Sequence, residues 1–256
     1  MSQGVLTDLT DGILTIQFNR SDAMNALHLE AFLALEDALA NLDPEVRAVI
    51  VKGNERAFCS GADVSLMSPG QGSLGMEKIT RLMQTYRNVE VPVIAAVSGP
   101  AAGIGCSLAL MADYVLMSEK SYLMLAFTRI GLMPDGGATA LVAASAGRHR
   151  ALRMALTAEK LPATSAFEWG LASEVVAPDL LDTRAGEVAA TFANSATVAL
   201  GRTKRAINDA TLTELDAALG REAEGQDALR TTEDYAEGVA AFLEKRPAVF
   251  KGVNRA

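Results

Sequence analysis

Short β-rich runs and longer runs of helical periodicity take turns through the first two thirds of the chain, and this alternation predicts an α/β core. Ile13 to Asn19, Val46 to Lys52, Val93 to Ser98 and Tyr114 to Ser118 read as strands. Leu27 to Leu42 carries apolar residues at helical spacing up to the Asp43-Pro44 stop, Met76 to Tyr86 repeats that spacing, and Gly103 to Asp113 forms a short apolar helix. Beyond Val176 the pattern turns to helices alone: Asp182 to Asn194, Val198 to Asp209, Thr213 to Leu229 and Asp234 to Lys245. Thr211 and Glu214 have the spacing of a capping box at the start of the third of these. The change of pattern divides the chain into a core over residues 1–195 and a helical region over 196–256.

With 256 residues and half of them hydrophobic, the chain can bury a full core. A net charge of −8 argues against a nucleic-acid partner, which a basic face would serve. No unbroken apolar run reaches the roughly 18 to 20 residues that span a bilayer, since Pro92 and Asp113 interrupt the best candidates. The first residues, Met-Ser-Gln-Gly, lack the pattern of a secretory signal, and Cys59 and Cys106 lie in apolar surroundings, so a reducing cytoplasmic location is expected. Two histidines, His28 and His149, without clustered partners, give no metal site and are expected at the surface or a helix end. Leu108 stands where a dinucleotide fingerprint needs its third glycine, and no phosphate loop or serine nucleophile elbow is present.

Two turns carry the chemistry. Val97-Ser-Gly-Pro-Ala-Ala-Gly-Ile-Gly-Cys-Ser107 runs from a strand through glycines into a helix, and Ala57-Phe-Cys-Ser-Gly-Ala-Asp63 closes another strand with small residues. Such turns present backbone N–H groups, and two of them facing each other can hold one oxygen as an oxyanion hole. Ser65 to Gly75, rich in glycine and serine, has linker character and is either a lid beside the second turn or a solvated loop.

This pair of turns resembles the crotonase superfamily, which acts on coenzyme A thioesters, and the resemblance runs over nearly the whole chain. It implies a ClpP/crotonase-like fold of repeated ββα units, a C-terminal helical region that builds a homotrimer or dimer of trimers, and no cofactor beyond the coenzyme A of the substrate. Matching residue by residue puts the oxyanion donors at Ala62 and Ile104. Asn19-Arg-Ser-Asp-Ala-Met-Asn-Ala-Leu27 resembles the segment bordering coenzyme A, with Ser21 in place of the usual proline. Ala23 and Met24 then border adenine and pantetheine, Ala62, Asp63, Val64 and Ser65 border the thioester, and Phe242 and Lys245 belong to a family-like C-terminal run, with Lys245 reaching a phosphate. Asp63 is also expected to stabilise its own turn. Of Met67, Met76, Met83, Met124 and Met133, one or two are expected to touch an acyl chain and the others to pack.

Hydratases of the superfamily carry two glutamates, and here the matching positions hold Ser107 and Phe127. Neither activates water. Ser107 is expected to cap or pack on its helix, the alternative being a hydrogen bond kept in the pocket. Asp135, in Pro134-Asp-Gly-Gly137, follows eight residues later, at or near the position of the working carboxylate in several enoyl-CoA isomerases and in the phenylacetate-pathway isomerase group, which Phe127 to Asp135 most resembles. Taken by itself, an aspartate before two glycines is equally a turn residue. The resemblance therefore implies a double-bond isomerase in which Asp135 moves the proton. A hydratase or hydrolase with another water-orienting group, and a non-catalytic acyl-CoA-binding subunit, are the alternatives.

Overall fold

A computed structural model describes residues 4–67 and 75–252. Six strands form the main sheet: β1 (Val5–Thr10), β2 (Ile13–Phe18), β3 (Ala48–Lys52), β4 (Val93–Val97), β6 (Tyr114–Ser118) and β9 (Glu174–Val176), in the order β1-β2-β3-β4-β6-β9. Only β1 and β2 pair antiparallel, and the rest of this sheet is parallel. A second sheet joins β5 (Pro100–Ala102), β7 (Tyr122–Met124) and β8 (Leu161–Pro162).

The central strands are continuous apolar runs because helices cover both faces. Val49 and Val51 of β3 point into the larger core with Phe32 and Leu35 of α1 (Leu29–Ala40) and Leu82 and Met83 of α2 (Met76–Asn88). Their neighbours Ala48 and Ile50 pack with Ala185, Val188 and Ala189 of α7 (Leu181–Ala193). Residues on alternate sides of one strand thus serve two cores, as a pleat requires.

The α/β class and the four expected strands are present, with ends within two residues of expectation, and only helices follow β9. α1 ends at Ala40, ahead of Asp43-Pro44. The capping box does not form. α8 (Thr197–Thr211) runs two residues further than expected, so Thr211 ends it and donates its hydroxyl to the Ile207 carbonyl. α9 (Leu215–Leu229) then starts without a side-chain cap. At α10 (Glu233–Leu243), by contrast, Thr232 accepts from the Tyr235 amide.

The expected division at 195/196 falls between α7 and α8. α9 nevertheless sends Leu215 and Leu219 into the larger core, against α2 and against α4 (Ala138–Ala146). α6 (Ala163–Glu168) ends at Trp169, with Gly170 at φ +77°. The indole packs under the guanidinium groups of Arg150 and Arg153, 5.1 and 5.5 Å from the ring centre. Among the described residues, no helix is long and apolar enough to cross a membrane, and no group of three or more His, Cys, Asp or Glu is placed to hold a metal.

Candidate active site

The two small-residue turns are stitched together by backbone. Cys59 and Ala101 form a parallel bridge in which the Cys59 amide donates to the Pro100 carbonyl (3.1 Å) and the Ala102 amide to the Cys59 carbonyl (2.9 Å). A second parallel bridge, Leu27 with Ala62, uses the Leu27 amide to the Gly61 carbonyl (2.8 Å) and the Asp63 amide to the Leu27 carbonyl (2.9 Å). The Ala62 amide lies between these bonds and has no acceptor among the described residues. The Ile104 amide is the first of α3 (Ile104–Met111) and likewise has none. Gly105 makes the close approach possible, because a Cβ there would sit 2.8 Å from both Cβ and Sγ of Cys59. Two free donors at one seam, one of them at a helix N-terminus, suit an oxygen that gains negative charge.

Both cysteines are free and buried, and burial pushes each thiol up to about 12.

A cavity of about 770 Å³ opens beside the seam. Ala23, Met24, Ala62, Asp63, Val64, Ser65, Ile104, Phe127, Asp135, Phe242 and Lys245 all line it, whereas Ser107 does not. Of the five methionines considered, Met67 and Met124 line it. Leu27, Ile79, Ile130 and Leu132 extend its apolar wall, while exposed Arg129, Lys160 and Lys245 set positive charge where it meets solvent. Local charge there opposes the acidic whole. His28 is the residue before α1, a helix end as expected, and also lines the cavity. Residues 68–74 of the expected lid or loop lie outside the described residues, whereas Val64–Leu66 form a turn of 3-10 helix.

Asp63 stabilises its turn, as expected. Burial alone would raise its carboxyl, but hydrogen bonds from the Ser65 hydroxyl (2.6 Å) and amide (3.1 Å) and from Arg20 (3.0 Å) hold it below the usual carboxylate range.

Asp135 is different. It is 5% exposed, and burial, with the nearby Glu222 charge added and Arg230 opposing, pushes its carboxyl up to about 8. One oxygen, Oδ2, accepts from Gln226 Nε2 at 3.0 Å, and Oδ1 has no partner among the described residues. Ser107 neither caps nor merely packs on its helix. Its hydroxyl donates to the Asp135 carbonyl at 2.7 Å, because the 135–137 loop crosses directly over α3.

Sequence reasoning missed three groups here. Asn25 is buried at φ +57°, and its side chain donates to the Ala57 carbonyl (2.8 Å) and accepts from the Arg20 amide (2.9 Å), tying the coenzyme-like segment to the seam. Glu222 accepts from the Gly137 amide (2.7 Å), the Thr139 amide (2.9 Å) and the Thr139 hydroxyl (2.6 Å), capping α4 from another helix. Gln226, one turn on, also donates to the Met133 carbonyl (2.6 Å). The available signal was a glutamate and a glutamine in helical register with Leu215 and Leu219.

Residues 8–253 match the family model described as enoyl-CoA hydratase/isomerase. The chain belongs to that family. Within the crotonase superfamily, the chain is 39% identical over 254 residues to a Rhodobacter capsulatus protein described as a probable enoyl-CoA hydratase, covering 96% of each chain. It is 34% identical to the 1,2-epoxyphenylacetyl-CoA isomerase of Escherichia coli K12, covering 98% of this chain and 100% of the relative. A crystal structure described as an enoyl-CoA hydratase from Mycobacterium avium subsp. paratuberculosis superposes with a TM-score of 0.90 at 44% identity, over 97% of this chain and 98% of that one. The fold is therefore the crotonase fold with a helical C-terminal region. Relatives of an enoyl-CoA hydratase/isomerase carry both activities in their names, so the site's own residues must discriminate between them.

Proposed function

We propose that this family member is a double-bond isomerase acting on an acyl-CoA thioester through an enolate. The observation that carries the reading is Asp135, among the described residues the one buried carboxylate lining the cavity. Asp63 is held by Arg20 and Ser65, and Asp22 is exposed. The Asp135 carboxylate takes the proton from the carbon between the thioester carbonyl and a 3,4 double bond. Electrons move onto the carbonyl oxygen, where the Ala62 and Ile104 amides hold the charge. The same proton returns to the carbon two positions further along as the double bond settles next to the carbonyl. Atoms and electrons balance with no water or oxidant, and no cofactor is required beyond coenzyme A. A carboxyl pushed up to about 8 is a stronger base than an ordinary aspartate, closer to what a weakly acidic carbon requires.

Turnover of a 3-enoyl-CoA, followed by absorbance of the conjugated product, tests the reading. Isomerisation is the expected result, with hydration of crotonyl-CoA slower by about 10² or more for want of a second acid–base group. Faster hydration than isomerisation overturns it in favour of a hydratase.

Lys245 supports the coenzyme side of the reading. The end of α10 closes with the Arg246 amide on the Ala241 carbonyl (3.0 Å) and the Lys245 amide on the Phe242 carbonyl (3.2 Å), a Schellman arrangement. Its left-handed residue, ordinarily glycine, is Lys245 at φ +55°. Holding a lysine there costs about 1 kcal/mol, a strain that fits a cation placed for the coenzyme phosphate. Lys245→Gly is expected to keep or raise the melting temperature while weakening binding of butyryl-CoA about three- to tenfold, or about 0.7 to 1.4 kcal/mol. Unchanged affinity in a calorimetric titration removes Lys245 from this role.

A further inference from the structure

We propose that Gln226 and Glu222 of α9 are positioning residues for Asp135, holding one carboxyl oxygen and the following amides so that the other oxygen is left for the substrate. The inference deepens the reading of Asp135 as the proton carrier and rests on it.

Three observations converge. Gln226 Nε2 bridges the Met133 carbonyl and Asp135 Oδ2, so it fixes the backbone before the aspartate and the carboxyl plane at once. Glu222 grips the amides of Gly137 and Thr139 on the far side, and Ser107 holds the Asp135 carbonyl between them. The segment from Met133 to Thr139 is thus tied at both ends by side chains one helical turn apart. Within this network the buried Asp135 Oδ1 and Gln226 Oε1 have no partner among the described residues. A buried polar atom without a partner is costly, and a site that leaves one on a carboxyl lining a cavity reserves it for a group that arrives.

Among the described residues, the charged groups facing Asp135 are Glu222 of α9 and Arg230, the residue that follows that helix, while α3 contributes the neutral Ser107 and Ile104. Gln226 donates to the carboxylate and so favours its charged form, whereas the Glu222 charge disfavours it. The two side chains therefore act on the carboxyl in opposite directions, which simple packing would not do.

The test uses Gln226→Leu and Glu222→Gln in the full chain. Three quantities are measured: turnover of a 3-enoyl-CoA against pH, butyryl-CoA affinity, and direct titration of the Asp135 carboxyl by carbon NMR of aspartate-labelled protein, assigned with Asp135→Asn. The expected result for Gln226→Leu is a kcat lower by about ten- to a hundredfold with KM within about twofold, since misplacing a reacting group by about 1 Å costs on that order. Its carboxyl titration and the rising limb of the pH profile move to higher pH, and in Glu222→Gln both move to lower pH. Titrations that stay in place, or move the same way in both variants, overturn the inference, as does a kcat unchanged in Gln226→Leu. If a variant melts below the assay temperature, Gln226→Met takes its place under the same criteria. The titration needs no turnover, so the two claims separate. Opposite shifts together with full activity in Asp135→Asn would leave the positioning geometry standing and remove Asp135 as the proton carrier.

Discussion

Replacing Asp135 by asparagine is expected to lower isomerisation of a 3-enoyl-CoA by about 10² to 10⁴ while butyryl-CoA still binds. Asparagine keeps the shape and can still accept from Gln226, but it cannot take a proton from carbon. The wild-type rate should climb with pH and level off above about 8, because the base works as the carboxylate and its carboxyl is pushed up to about 8. Stability should move the other way. The folded-state value lies above the roughly 3.9 of an unfolded aspartate, so the contribution of the neutral buried carboxyl is fully present below about pH 4. It is lost as pH rises towards 8, at no more than about 1.4 kcal/mol per unit. The neutral asparagine escapes that loss. Asp135→Asn should therefore out-melt the wild type by a margin that widens from pH 6 to 8 and is constant above. An active variant, or one whose melting advantage does not change with pH, contradicts this account of Asp135.

The second large effect is expected at Gly105. An alanine there would force its Cβ against the carbonyl and side chain of Cys59, all of them buried. Neither partner is the far end of a flexible side chain, so the first turn of α3 has to move off the seam and carry the Ile104 amide with it. Loss of one preorganised donor costs about 10² to 10³ in kcat. Gly105→Ala should show that loss together with a lower melting temperature, as overpacking of a core costs about 1 to 3 kcal/mol. A kcat within about threefold of wild type would mean that the Ile104 amide does not carry the oxyanion, given that donors of this type are worth far more.

What the sequence revealed and what it hid follow the same physical divide. The two turns were legible because each is a local device: small residues, a strand before and a helix or bridge after, all within about ten positions. Strands β3 and β4 were legible because burial on both faces makes them unbroken apolar runs. β1 was not, since five of its six residues are exposed and the hairpin pairing alone makes it a strand. α4, with the composition Ala-Thr-Ala-Leu-Val-Ala-Ala-Ser-Ala, has no polar face to mark a period. The surroundings of Asp135 were hidden for another reason. Apolar Phe127, Leu132 and Met133 precede it in the chain, but the groups that hold and tune the carboxyl lie about 90 residues away on α9, and no local pattern links Glu222 or Gln226 to it. The favoured reading of Ser107 as a capping or packing residue gave way to the alternative of a hydrogen bond, because its partner, the Asp135 carbonyl, lies 28 residues on.

An enzyme that handles thioesters works in a pool of free coenzyme A thiol and its mixed disulfides, and a cysteine at the seam of the two turns is a potential target for exchange with them. Cys59 escapes. Buried at the bridge it forms with Ala101, with its thiol pushed up to about 12, it stays protonated at neutral pH, and thiolate is the form that exchanges. The seam that aligns the two amides thus also keeps its sulfur out of the thiol chemistry that surrounds the reaction.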